Sequence, residues 1–102
     1  MIRNGRTYIV VTSDGPAYQD VFLTWDSFGY YTTVDYIDEI GPYDFHDTIA
    51  AAIDRARDAD SGTLGGWSYP MAVYELLNFN EAYNEGDEPK LVKVHDISFT
   101  RA

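Results

Sequence analysis

Between Arg6 and Arg55 the chain carries no Lys or Arg, yet it holds Asp14, Asp20, Asp26, Asp35, Asp38, Glu39, Asp44, Asp47 and Asp54. The pattern returns between Arg57 and Lys90, with Asp58, Asp60, Glu75, Glu81, Glu85, Asp87 and Glu88. An ordinary salt-bridged surface interleaves the two signs. Segregated carboxylates instead sum to a negative potential that steers cationic partners over about a Debye length, ~8–10 Å. The chemistry on offer is recognition, in which carboxylates imitate nucleic-acid phosphates and occupy a basic groove on another protein. On a helix rising ~1.5 Å per residue, Asp47, Asp54 and Asp58 would fall ~10 and ~6 Å apart. Along one face of a strand, Asp35 and Glu39 would lie ~13 Å apart. The plainer alternative is that the acid serves only solubility or high-salt adaptation. With 17 acidic side chains against 7 Lys and Arg, the formal net charge is −10, so direct nucleic-acid binding is not expected.

Arrangements for catalysis or metal binding are weaker. The histidines are His46 and His95. His46 is expected in the first turn of a helix, exposed to solvent or beside the cap. His95 and Asp96, as neighbours on a strand, point to opposite faces and cannot form an acid/base pair. No H-x-x-x-H or H-E-x-x-H spacing is present. Asp58-Ala59-Asp60-Ser61-Gly62 has the start of an EF-hand loop, but Thr63 takes the glycine position and Tyr69 the place of the bidentate Glu. Gly62-Thr63-Leu64-Gly65-Gly66 lacks the Lys-Ser/Thr of a phosphate-binding loop. The absence of cysteine excludes disulfides and thiolate chemistry. No catalytic residue, metal or cofactor is expected, and the chain reads as a non-enzyme.

The elements that must position these acids follow from periodicity. Thr7–Thr12 and Asp20–Trp25 are β-branched and aromatic and read as strands. In the second, Val21, Leu23 and Trp25 share one face, with Phe22 and Thr24 on the other. Turns are expected at Ser13-Asp14-Gly15-Pro16 and Asp26-Ser27-Phe28-Gly29. A third strand is predicted from Tyr30 to about Ile40, broken by Gly41-Pro42. A helix is predicted over 44–59, with Asp44 as N-cap and an apolar stripe of Phe45, Ile49, Ala52, Ile53 and Ala56. Its outer face would carry Asp47, Asp54 and Asp58, and Arg55 and Arg57 would sit near its C-terminus. A flexible loop follows through Gly66. Met71–Leu77 fits strand or helix; strand is preferred because Leu91–Phe99 supplies a partner, with Asn78–Pro89 as a polar hairpin loop. The expected fold is α+β, β-β-β-α-β-β. One antiparallel sheet of four to five strands carries one helix on one face, and residues 1–102 form a single domain. No apolar run reaches the ~18–20 residues of a membrane span, and no secretory leader is visible at Met1–Arg6. A cytoplasmic location is the default expectation, that of the host cytoplasm if the chain is phage-encoded.

Nine tyrosines are the other oddity. Tyr30 and Tyr31 are neighbours on a strand, so one of them must leave the core side. An exposed Tyr beside carboxylates suits a protein–protein hot spot and cation–π contact with Arg. In size, charge and compact α+β layout the chain is similar to the small acidic inhibitors of phages and mobile elements, including anti-CRISPR proteins and other DNA mimics. That likeness implies a partner with a basic, nucleic-acid-binding surface; it assigns no residue. The expected contacts are Asp47, Asp54 and Asp58 on the helix together with Glu81, Tyr83, Glu85, Asp87 and Glu88 in the loop. Tyr30 and Tyr31 on the sheet are the further candidates. A homodimer or accessory subunit built on the Tyr-rich sheet face is the second reading. A small enzyme or metal protein using carboxylates with His46 and His95 is the third.

Overall fold

The computed structural model describes residues 2–13, 20–25, 31–61 and 71–97. The turns expected at 14–16 and 26–29, the stretch 62–66 and Tyr30 lie outside the described residues, as does the side chain of Tyr31. Among the described residues, five strands form one antiparallel sheet: β1 (Tyr8–Ser13), β2 (Asp20–Trp25), β3 (Tyr31–Val34), β4 (Met71–Leu76) and β5 (Leu91–Ile97). Their spatial order is β3-β2-β1-β4-β5. The α+β fold read from the sequence is therefore present. Among the described residues it has two α-helices, α1 (Ile49–Ser61) and α2 (Phe79–Glu85), where one was expected. No helix among the described residues is long and apolar enough to cross a membrane.

The central strand β1 is apolar on both sides, and its alternation sorts the interior into two clusters. Tyr8 and Val10 face α1, whose Ala52 and Ala56 are fully buried against Leu23, Met71, Val73 and Ile97, with Ile49 and Ile53 half-buried beside them. The two alanines let the helix axis approach the sheet closely. Ile9 and Val11 face the other way, onto Phe22, Ile37, Ile40, Phe45, Leu76, Phe79 and Ala82. On β5 the register steps from Val73↔His95 to Tyr74↔Lys93, so Val94 is an extra, bulged residue. The bulge resets the alternation, which is why Ile97 joins the first cluster and Leu91 packs against the second.

Four expectations need correction. The helix starts at Ile49, not at Asp44, and Thr48 caps it: its Oγ1 accepts the Ala51 N–H at 3.1 Å. Asp44 ends a single 3-10 turn over Pro42–Asp44 and is buried. Phe45 consequently leaves the helical stripe and packs in the opposite cluster, edge-on to Phe79 at 4.8 Å and to Tyr83 at 5.6 Å. The third strand stops at Val34. Beyond it the chain turns through a second 3-10 turn, Ile37–Glu39, so Asp35 and Glu39 do not share a strand face.

The last correction is α2, which occupies the supposed polar hairpin loop of 78–89. Phe79, Ala82 and Tyr83 recur at i, i+3 and i+4 and give this seven-residue helix an apolar side. Gly86 ends it with φ +76°, a left-handed conformation that L side chains rarely adopt. Asn78 then fastens the returning chain, its Nδ2 donating to the Glu88 carbonyl at 3.0 Å and its Oδ1 accepting the Lys90 N–H at 2.7 Å.

Candidate functional site

Where α2 and the 3-10 turn at Ile37–Glu39 meet over β2, they leave an open groove of about 470 Å³. Its floor is apolar: Phe22 from β2, Ile37, Ala82 from α2 and Pro89. Its walls are acidic, with Asp35, Asp38 and Glu39 on one side and Asp87 and Glu88 on the other. Its described lining includes no Lys, Arg or His. Tyr36, 69% exposed, stands at the rim.

Both walls are held by backbone-directed hydrogen bonds. Glu39 Oε2 accepts the Tyr36 N–H at 3.2 Å, closing the turn that presents Asp35 and Asp38. Further along, Gly41 N–H donates to Thr24 Oγ1 at 2.7 Å. A Cβ at Gly41 would sit 3.3 Å from that oxygen, so the glycine permits the close approach. Trp25 N–H donates to Asp44 Oδ2 at 2.8 Å, and Arg55 pairs with Asp44 Oδ1 while its guanidinium lies 4.4 Å from the Trp25 ring centroid. Arg55 is thus directed inward from the middle of α1 rather than serving the helix end. On the other wall, Gly86 and Asn78 fix Asp87 and Glu88 against α2.

Four of the six described bases are ion-paired away from the groove; Arg6 lies beside Tyr8 and Glu75, and Lys90 directly follows the groove residue Pro89. Arg3 pairs with Asp47, Arg55 with Asp44, Arg57 with Asp54 at 3.2 Å and Lys93 with Asp96 at 3.2 Å. None of these acids lines the groove. Among the described residues, no ion pair engages Asp35, Asp38, Glu39, Asp87 or Glu88. No group of three His, Asp or Glu among the described residues is placed to hold a metal ion.

The residues expected to form one contact surface are divided by the fold. Asp54 and Asp58 lie exposed on α1, on one side of the sheet. Glu81, Tyr83 and Glu85 lie on α2, on the other, followed by Asp87 and Glu88; only these last two line the groove. Tyr83 is half-buried and stacked on Phe79 at 5.3 Å. Asp47 precedes α1 and is tied by Arg3 to the N-terminal segment, which Asn80 of α2 grips through reciprocal 2.9 Å hydrogen bonds with the Arg3 backbone. Asp35, Asp38 and Glu39, which complete the groove, were not singled out together as contact residues by the sequence. Their run beside Tyr36 and ahead of Gly41-Pro42 was the available signal.

His46 is neither exposed nor helical. Its backbone bridges Tyr8 through two 2.8 Å hydrogen bonds, and its buried Nε2 has no hydrogen-bond partner. Burial pushes its pKa below the ordinary imidazole value, partly opposed by Asp44. His95 is exposed on β5, which β4 separates from β1, the strand that the His46 backbone bridges. The two do not form a site. Comparison with protein-family models, with curated protein sequences and with solved structures finds no match.

Proposed function

We propose that this chain is a non-enzymatic acidic binding protein that occupies a basic, nucleic-acid-binding surface of a partner protein, in the manner of phage-encoded anti-defence and DNA-mimic inhibitors. The observation that carries the reading is the set of five carboxylates around one hollow, with four of the six described bases, Arg3, Arg55, Arg57 and Lys93, paired elsewhere. Like charges gathered without counter-charges raise the free energy of the isolated protein, and a cationic partner lowers it. Exposed Glu81 and Glu85 on α2 extend the same field beyond the groove. Carboxylates in this arrangement compete for Lys and Arg that would otherwise meet phosphates.

The test is competition. The immobilised chain is used to capture a partner from a lysate of its native host at low ionic strength, and duplex DNA is then added. The partner should be released by DNA and by raised salt, and saturating chain should remove the partner's own DNA binding. A partner that binds DNA undiminished while saturated with the chain would overturn the proposal.

A further inference from the structure

We infer that the groove between residues 35–39 and 82–89 receives a protruding segment of a basic protein, with an apolar side chain on the groove floor and Lys or Arg on either side of it. The inference rests on the proposed function and deepens it. Within the basic surface that the chain covers, the wall acids meet the partner from a concavity. The projecting member of the pair is therefore the partner.

Three features select this occupant. The first is shape and polarity: about 470 Å³ lies within the range of ligand clefts, and the floor of Phe22, Ile37, Ala82 and Pro89 excludes a purely ionic guest. An apolar side chain set there gains by leaving water. The second is charge. The wall acids stand on two separate segments of chain and do not converge on a point that would hold a metal ion. Cationic groups spread along a peptide match that spacing better than a compact ion, and the exposed Tyr36 ring offers a face to a guanidinium. The third is rigidity. Asn78, the Gly86 cap and the Glu39–Tyr36 hydrogen bond hold both walls before any ligand arrives, which lowers the ordering cost of binding.

The probe is a fluorescein-labelled, end-blocked peptide of sequence Lys-Arg-Leu-Arg-Lys, with a second peptide carrying Ser in place of Leu. Binding is read by fluorescence polarisation against the full chain. Two variants are compared: the groove variant Asp35→Asn, Asp38→Asn, Asp87→Asn, Glu88→Gln, and the α1 variant Asp54→Asn, Asp58→Asn. Near-UV circular dichroism checks that both remain folded. The groove variant should bind the Leu peptide about tenfold or more weakly, and the α1 variant within about twofold of the parent. The Ser peptide should bind the parent several-fold more weakly than the Leu peptide.

Equal binding of the Leu peptide to parent and groove variant, or of both peptides to the parent, overturns the inference. Folded cytochrome c, a basic protein, separates this failure from that of the broader reading. If the parent binds cytochrome c in a salt-dependent way but shows no preference for the Leu peptide, the groove inference falls and the acidic-surface reading stands. If neither probe binds, both fall.

Discussion

Asp44 shows how one carboxylate in an acid-rich chain is set apart for structure. At 1% exposure it joins three pieces of chain: the Trp25 backbone at the end of β2, the 3-10 turn it terminates, and Arg55 from α1. Removing one member of a buried pair strands the other charge, which costs about 3–5 kcal/mol. Asp44→Asn should therefore lower stability by that order in urea denaturation, whereas Asp54→Asn, on an exposed pair, should change it little. Equal effects would mean that Arg55 finds water when Asp44 is neutral. His46, whose backbone bridges Tyr8 and whose Nε2 is buried, adds a pH dependence. Because its folded-state pKa is lowered, the unfolded chain takes up the proton first as pH falls. Stability should be fully present above the ordinary imidazole value and decline as pH drops through the lowered one. The urea midpoint between about pH 7 and pH 5 should show a slope that His46→Asn reduces. An unchanged slope in that variant would assign the effect to other groups.

At the scale of elements, α1 depends on a correctly placed stop and start. Thr48 satisfies the Ala51 N–H that the helix itself leaves open, so Thr48→Ala should cost about 1 kcal/mol in thermal or urea unfolding, and Thr48→Ser should restore most of it. The same residues show how much was legible beforehand. The strands β1 and β2 were readable from their β-branched and aromatic content, whereas β4 fitted strand or helix and was read as strand only because Leu91–Phe99 offered a partner. The stripe of Ile49, Ala52, Ile53 and Ala56 was readable from its helical spacing. Asp44 fitted the local pattern of a cap, but its role is set by Arg55 and Trp25, which no local pattern reveals. Helix α2 was missed because Asn, Glu and Gly dominate the span from 78 to 89 and overshadow three apolar residues at helical spacing. The groove was not legible at all as a unit, since residues 35–39 and 87–88 meet only after β2 and α2 have been placed.

For the molecule as a whole, the sheet is packed on both faces, but unequally. One side is closed by α1, and the other carries a smaller helix that leaves a hollow beside it. The groove walls come from turns and loops, so their carboxylates are free of any duty in the interior, and a rigid scaffold presents them. The strand order has a different consequence, which falls during synthesis. β1 lies in the middle of the sheet, yet one of its two neighbours, β4, ends at Leu76. A ribosome adding ~5–20 residues per second needs roughly 3–10 s to proceed from the end of β2 to the end of β4. Throughout that interval the edge of β1 that will pair with β4 stands open on the nascent chain, flanked by the apolar Ile9, Val10 and Val11. An unpaired apolar edge is a template for a second chain. The acids at 35, 38, 39, 44 and 47 are all translated within this interval, and like charges on two chains oppose such pairing.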